Sequence, residues 1–376
     1  MNRVVVCEVL PRLLIGGAES VVKDYIMNLD DCMFDKHLIC VWGKCYSSNE
    51  CIVEKSKVDT VYLADSIILS SCNIEPLNRI YRHFRIEKEL YSYLCGLHPD
   101  VVHLHLMGYR MVKTVLEYCN MSGATCVYTV HSNPRIACFG SISRNRLRQL
   151  IKRNSQIVIT ALDTKQEGEL KRIFPNNRII QINNPVDLKL FAPSNQFRID
   201  VRRELGIPES AFVLGHVGRF VSSKNHEFIL SIFVEVLKHE ENSYLVLVGD
   251  GELKPLITNK IIEKGISDRV RFLSNRSDVF RVLNAMDCFV FPSLYEGFPV
   301  SLIEAQSVGL KCVISDSISE DCVLSSKVIR ISLHCDATLW AKNILYLTDY
   351  AKQKNCIEDY DTTNVIIRLQ EVYKNA

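Results

Sequence analysis

The chain has 376 residues, of which 47% are hydrophobic and 23% charged, and a formal net charge of +2. Such a composition belongs to a soluble globular protein, and the length exceeds the ~250–300 residues at which one core stops growing, so two domains are expected. The near-neutral charge gives no support to a nucleic-acid partner, and no apolar run approaches the ~18–20 residues that cross a bilayer.

The N-terminal run Val4-Val5-Val6-Cys7 is apolar, but Glu8, Pro11 and Arg12 interrupt its continuation. It reads as a first strand rather than a signal peptide. Strand-like and helical stretches then alternate, the pattern of parallel sheets covered by helices. Strands are predicted at 3–10, 37–42, 60–63, 101–105, 125–131, 156–160 and 178–182, with helices between them at 18–29, 78–95 and 112–121. Asn183-Asn184-Pro185-Val186-Asp187 breaks this rhythm with turn residues and marks a domain junction. The second half restarts with a strand at 212–217, a helix at 225–238, a strand at 244–248 and a helix at 252–264. Strands come next at 270–273, 288–291 and 312–315, and an amphipathic helix at 361–373 ends the chain. The expectation is an α/β protein with domains 1–187 and 188–354, two Rossmann-like units facing a central cleft.

Ten of the fifteen cysteines lie at or before Cys138 and five from Cys288 onward. None has the two-residue spacing of a zinc or thioredoxin motif, and many sit in apolar runs, so reduced thiols of a cytoplasmic protein are expected.

The residues suited to chemistry stand just beyond predicted strands, where open α/β sheets bind ligands. Gly16-Gly17-Ala18-Glu19 follows the first strand and opens a helix, letting backbone approach a ligand. It is not the dinucleotide fingerprint, so no nicotinamide cofactor is implied. His131, at the end of the strand 125–131, is placed to orient a sugar hydroxyl or to donate to a developing charge. His103 and His105 share one face of a strand and read as core or rim histidines, with no third metal ligand evident from spacing. Arg219 and Lys224 follow the first strand of the second half, a cationic pair suited to a diphosphate whose charge grows as it leaves. Gly249-Asp250-Gly251-Glu252 reads as a strand-to-helix turn with a helix cap.

Glu296 lies in the loop after the apolar strand 288–291, and Gly297 permits an unusual turn there. Pro299 suits the first position of a helix that runs from Val300 and carries Glu304 on its second turn. A helix start favours phosphate. Flanking carboxylates accept hydrogen bonds from hydroxyls of a hexose and a ribose, so the arrangement suits a nucleotide-sugar. Asp359-Tyr360-Asp361 has the look of a metal-diphosphate motif but precedes the last helix, where Asp361 reads as a cap; no metal is assigned. Two basic helical stretches, Arg144 to Arg153 and Arg79, Arg82 and Arg85, read either as solvated faces or as a seat on anionic lipid.

Taken in order, Gly16-Gly17-Ala18-Glu19, His131, Asn183 to Asp187, Gly218-Arg219 with Lys224, Val248 to Gly251, and Pro292 to Pro299 with Glu304 resemble a retaining glycosyltransferase of family 4, with the GT-B fold. The resemblance covers nearly the whole chain and is greatest to enzymes of bacterial exopolysaccharide, capsule and O-antigen clusters. The junction departs from it, with Asn-Asn-Pro-Val-Asp where the family commonly has Asn-Gly-Val-Asp. The resemblance implies transfer of a hexose or N-acetylhexosamine from a nucleotide-diphosphate sugar, UDP-linked foremost, to a lipid-linked glycan acceptor, with retention and without metal or other cofactor. Gly16 and Gly17 would line the acceptor and phosphate region, and His131 would contact the donor sugar near its reacting carbon. Arg219 and Lys224 would hold the diphosphate. Glu296, with the backbone amides of Phe298 and Val300, would bind hexose hydroxyls, Glu304 the ribose, and Gly297 and Pro299 would complete the donor loop. The last helix, from about residue 355, would cross back to the first domain, and the enzyme would work at the cytoplasmic face of the inner membrane, with peripheral contact to the inner leaflet. A nucleotide-sugar epimerase of the same architecture and a catalytically silent nucleotide-sugar-binding partner are the other readings; Glu296-Gly297-Phe298-Pro299 with Glu304 favours transfer.

Overall fold

The structure is a computed structural model that describes residues 3–14, 16–66, 75–274, 276–346 and 356–375, with backbone alone for 66 and 75–80. Arg79 therefore lies outside the described side chains. The chain divides into two compact units, Met1–Pro185 with Thr362–Ala376, and Val186–Asp361.

The first unit is built on β1 (Val4–Leu10), β2 (Phe34–Cys40), β3 (Asp59–Tyr62), β4 (Val101–His105), β5 (Thr125–Thr129), β6 (Val158–Ala161) and β7 (Arg178–Gln181). Its strands run parallel in the order β3-β2-β1-β4-β5-β6-β7. Short β-branched runs buried on both faces make such strands. Helices Glu75–Leu97, Tyr109–Ser122 and Ile142–Arg153 supply one layer of core, with Ile86, Leu90, Val112, Val115 and Ile151 all buried. Helix Gly17–Asn28 packs beside the C-terminal helix Thr362–Lys374, whose Val365, Ile366 and Leu369 are buried. The long separation in sequence between these two neighbours is bridged by the second unit.

That unit has β8 (Phe212–Val217), β9 (Ser243–Val248), β10 (Val270–Leu273), β11 (Cys288–Phe291), β12 (Lys311–Ser315) and β13 (Val328–Ile331). They are parallel in the order β10-β9-β8-β11-β12-β13. In each sheet the chain builds outward in one direction, returns, and builds in the other. The reversal falls between β1 and β4 in the first sheet and between β8 and β11 in the second. Among the described residues no helix is long and apolar enough to cross a membrane.

Several local expectations shift. β13 was not predicted: it is a four-residue edge strand interrupted by Arg330, and its register with β12 supplies what its own pattern lacks. The strand predicted at 125–131 ends at Thr129, leaving His131 in the following loop. Pro299 stands at the cap before helix Val300–Ser307 rather than at its first position. Where the chain enters and leaves the second unit, Val186 pairs with Asp361, and the Val186 amide donates to the Tyr360 carbonyl at 2.8 Å.

One buried guanidinium ties the base of the second unit together. Arg202, 1% exposed, donates to the carbonyls of Ala285, Glu209 and Ala211 at 3.0, 2.7 and 2.8 Å, and to Asp287 Oδ2 at 2.7 Å. Asp287 also accepts from Arg198 and from the Val213 amide. Asp287 keeps Arg198 and the Val213 amide when Arg202 is removed, but the buried carbonyls of Ala285 and Ala211 lose their donor, so Arg202→Met is expected to lower unfolding free energy by about 1–3 kcal/mol, read from the denaturant midpoint. A change below about 1 kcal/mol would show that the carbonyls find other partners.

Candidate functional site

In the second unit the loops that leave β8, β9, β11 and β12 meet at the carboxyl edge of the sheet. The loop after β8 is Gly218-Arg219-Phe220-Val221, and the turn Gly249-Asp250-Gly251 after β9 locks against it. The Gly218 amide donates to the Val248 carbonyl, and the Phe220 amide to the Asp250 carbonyl, each at 2.9 Å. Gly249 and Gly251 have φ of +138° and +154°, and a Cβ on Gly249 would fall 2.2 Å from the Gly218 carbonyl oxygen. Only glycine allows this approach. The side-chain cap expected in this turn is not formed: helix Lys254–Glu263 starts after Leu253 with no side-chain cap.

A short turn, Ser222–Lys224, then presents Lys224, and Asn225 adopts a left-handed backbone with φ of 56°. Its side chain donates to the Pro292 carbonyl at 3.2 Å, and the Leu294 amide donates to the Ser223 carbonyl at 2.7 Å, so the loops after β8 and β11 are stitched together. Lys224 Nζ thereby reaches Glu296 Oε1 at 2.7 Å, both side chains about 15% exposed, with Nζ 4.8 Å from the Phe291 ring centre. The loop carrying Glu296 is fixed at its root, where Ser315 and Ser317 both donate to the Ser293 carbonyl at 2.7 Å. It is fixed at its far end by Phe298, which is buried and stacks on Tyr360 at 5.2 Å. Pro299 then starts helix Val300–Ser307, with Val300 and Glu304 both half-buried. Arg219 is exposed, and among the described residues its side chain makes no hydrogen bond or ion pair. The structure thus joins Lys224 to Glu296, sets Gly297, Phe298, Pro299 and Val300 on the same loop, and leaves Arg219 uncommitted on the neighbouring one.

In the first unit, Gly16 has extended backbone at the start of helix Gly17–Asn28 and supplies no side-chain acceptor. The Glu19 side chain turns back over it, so that a Cβ on Gly16 would lie 2.5 Å from Glu19 Oε2. The helix start is already met by the protein's own carboxylate, and a phosphate there would have to displace it.

His131 belongs to a larger polar system that its spacing did not disclose. Register places Glu8 of β1 beside His103 of β4, and His105 of β4 beside Thr129 of β5, so these side chains share one face of the sheet. His105 Nε2 lies 2.6 Å from Glu8 Oε2, and His105 Nδ1 lies 2.8 Å from His131 Nε2. Tyr373, from the C-terminal helix, donates to Glu8 Oε1 at 2.5 Å and lies 2.6 Å from His103 Nδ1. His103 Nε2 meets Thr129 Oγ1 at 2.6 Å. The loop bearing His131 is held by Gln166, which donates to the carbonyls of Val130 and Ser132, each at 3.0 Å.

Glu8, His103 and His105 converge within 4.8 Å, supplying the third metal-type ligand that spacing alone does not reveal. Their facing atoms are spent on direct 2.6 Å bonds to one another and to Tyr373 and Thr129, which is the geometry of a hydrogen-bond network. Burial would raise the Glu8 carboxyl, but the imidazoles of His103 and His105 and their hydrogen bonds reverse this and hold it ionised, well below the usual carboxylate range. Burial pushes His105 down to about 4, and burial with the neighbouring imidazoles drives His131 well below its ordinary value. One signal in the sequence could have exposed Glu8: a charge in the middle of the otherwise apolar strand Val4–Leu10 requires a buried partner.

Comparison with known proteins agrees with this architecture. Residues 15–190 match the model described as Glycosyltransferase Family 4, and residues 197–359 match that described as Glycosyl transferases group 1. Together they span nearly the whole chain, which belongs to the glycosyltransferases that join these two domains. Putative glycosyltransferase EpsF of Bacillus subtilis is 38% identical over 169 residues, which is 44% of each chain, so less than half of that relative's length is matched. An Escherichia coli UDP-Gal:alpha-D-GlcNAc-diphosphoundecaprenol alpha-1,3-galactosyltransferase is 27% identical over 331 residues, 84% of this chain and 80% of that one. Among solved structures, Anabaena HepE in complex with UDP and glucose superposes with a TM-score of 0.77 over 99% of both chains at 15% identity, which shows the shared GT-B fold.

The buried imidazoles set a pH dependence. His105 stays neutral in the fold down to about 4, whereas an unfolded histidine protonates near about 6.5. Between those values the unfolded chain binds more protons, so stability is fully present above the upper value and is lost as pH falls through the window. His226, lowered to about 4 by burial and then by Lys224, acts in the same direction. The denaturant midpoint is expected to drop between pH 7 and pH 4.5; a midpoint flat across that range would contradict neutral imidazoles.

Proposed function

We propose that the chain is a retaining, metal-independent glycosyltransferase that moves a hexose or N-acetylhexosamine from a nucleotide-diphosphate sugar, UDP-linked foremost, to a lipid-linked glycan in bacterial surface-polysaccharide synthesis. The observation that carries this reading is the Lys224–Glu296 pair at 2.7 Å, formed by the loops after β8 and β11 where the strand order reverses. Ligands of open α/β sheets bind at that reversal, and a cation beside a sugar-binding carboxylate is what a departing sugar diphosphate requires.

In this reading Arg219 and Lys224 receive the diphosphate, and their attraction grows as negative charge collects on the leaving oxygen. Glu296 accepts hydrogen bonds from hexose hydroxyls, the amides of Phe298 and Val300 donate to the same region, and Glu304 accepts from the ribose. Gly297 and Pro299 shape the loop that presents them. His131 addresses a hydroxyl of the donor sugar, and Gly16 and Gly17 line the acceptor side. The named activity of the Escherichia coli relative on a diphosphoundecaprenol-linked sugar supports a lipid-linked acceptor, and the UDP and glucose bound to HepE support a UDP-linked donor. Contact with an anionic leaflet is supported by exposed Arg144, Arg146, Lys152 and Arg153, together with Ile142, which is 76% exposed.

The test is incubation with UDP-, GDP- and dTDP-sugars and an undecaprenyl-diphosphate-linked acceptor, with and without EDTA, followed by NMR of the new anomeric centre. Product with the donor's anomeric configuration, unaffected by EDTA, is expected. A donor sugar epimerised without acceptor, or an inverted product, would overturn the reading. Glu304→Ala should weaken donor binding by about 1.5–3 kcal/mol, as for hydrogen bonds to a charged group. Arg219→Ala should depress kcat more than it weakens donor binding, because the charge it meets develops in the transition state; unchanged turnover in the folded variant would remove Arg219 from the role.

A further inference from the structure

The chain of contacts from β1 to His131 has a direction fixed by elementary chemistry. Glu8 is ionised and can only accept, so the 2.6 Å contact to His105 Nε2 is a bond donated by His105. A neutral imidazole that donates from Nε2 must accept at Nδ1. The 2.8 Å contact there is therefore donated by His131 Nε2. The same rule applied once more leaves His131 Nδ1 without a proton. His131 is half-buried, and among the described residues its Nδ1 has no hydrogen-bond partner.

The second oxygen of Glu8 is committed as firmly. Tyr373 donates to it, and burial with the adjacent carboxylate keeps that phenol protonated. With its oxygen free to accept, Tyr373 receives a hydrogen bond from His103 Nδ1–H, and His103 Nε2 then accepts from Thr129. Tyr25 stacks on His103 at 6.2 Å and closes the cluster from helix Gly17–Asn28. Every proton in the cluster is thus accounted for by one charged group, the Glu8 carboxylate, which is 0% exposed.

We propose that Glu8 and His105 are positioning residues for His131: they hold its imidazole in the tautomer with the proton on Nε2, so that its bare Nδ1 accepts a hydrogen bond from a hydroxyl of the transferred sugar. This rests on the reading of His131 as a donor-sugar contact, and it narrows that reading. His131 acts as an acceptor and not as a donor to developing charge. Tyr373 extends the device to the C-terminal helix, because its hydroxyl decides which way an uncharged substitute for Glu8 can turn.

The experiment is nitrogen-15 NMR of histidine-labelled protein with steady-state kinetics alongside. In the unsubstituted chain His105 and His131 are expected to be protonated on Nε2 and bare at Nδ1; His131 protonated on Nδ1 overturns the proposal with no variant needed. In Glu8→Gln the Tyr373 hydroxyl keeps the amide oxygen on its side, which turns the amide NH2 toward His105. Both tautomers should then reverse, and kcat should fall about ten- to hundredfold, as when the partner that orients a functional imidazole is removed. Adding Tyr373→Phe frees the amide to rotate, and a return of the Nε2 tautomer with partial recovery of kcat is expected. A purely structural role would leave the tautomers unmoved in Glu8→Gln, and that result refutes the relay. Should Glu8→Gln fail to fold, His105→Gln cuts the chain at its middle, and full kcat in that variant overturns the proposal. The spectra require no turnover, so failure of the relay appears in the tautomers and failure of the glycosyl-transfer reading in the absence of product from any donor.

Discussion

Parallel strands all deliver their carboxyl ends to one edge of a sheet, and the candidate site of this chain depends on that constraint. Where strand order reverses, the helices on either side diverge and the loops at that edge are left open to a ligand. In the second unit this makes neighbours of the loops after β8 and β11, whose Lys224 and Glu296 are 72 residues apart in sequence and 2.7 Å apart in space. In the first unit the same reversal, between β1 and β4, sets Glu8 beside His103. One pair lies in the loops and the other within the strands, but the placement of both has one cause.

The first sheet buries the Glu8 carboxylate where a parallel sheet would ordinarily have hydrocarbon, and the second unit holds a half-buried one, Asp287, at the start of β11. Dehydrating such an ion costs several kcal/mol unless strong partners surround it, and the surroundings here are recruited from remote parts of the chain. Glu8 draws in His105 from β4 and Tyr373 from the last helix, 97 and 365 residues away. Asp287 draws in Arg198, Arg202 and the Val213 amide. Apolar burial of Ile366 and Leu369 holds the C-terminal helix to the first unit without fixing its register; the Tyr373 hydroxyl, which has one acceptor to reach, supplies the register.

Much of this is legible in the amino-acid order alone. Strands such as Val101–His105 and Cys288–Phe291 are runs with a single sensible reading, and the turn residues from Asn183 to Asp187 announce the change of unit. The features that escape such a reading are those whose cause lies in another part of the chain. β13 is a strand because β12 pairs with it, and the salt bridge of Lys224 exists because Asn225 and Leu294 stitch two loops together. His103 and His105 are visible as a pair sharing a face, yet their meaning depends on Glu8, which reaches them only through the register of β1 with β4. Glu19 is a further contact that the order of residues does not show: the glycine turn before it reads as an anion seat, and the Glu19 carboxylate lies over Gly16.

The two cations near the second sheet's edge differ in a way that bears on how such a site is prepared. Lys224 is held by Glu296, by the Phe291 ring and by its own stem lying over Gly218, where a Cβ would come within 3.3 Å of it. Little side-chain entropy remains to be lost when an anion arrives beside it, which is the physical content of preorganisation. Arg219, on the adjoining loop, is exposed and among the described residues has no such hold, so ordering it costs the rotamer freedom of a long side chain. A fixed cation needs no reorganisation as charge develops beside it, so its whole attraction is available to the transition state. A cation that must be recruited gives up part of its attraction to the cost of ordering it. The turn at Gly249 and Gly251 sustains this difference, because its close approach fixes the backbone of Gly218 and Phe220 on either side of Arg219 while leaving that side chain unconstrained.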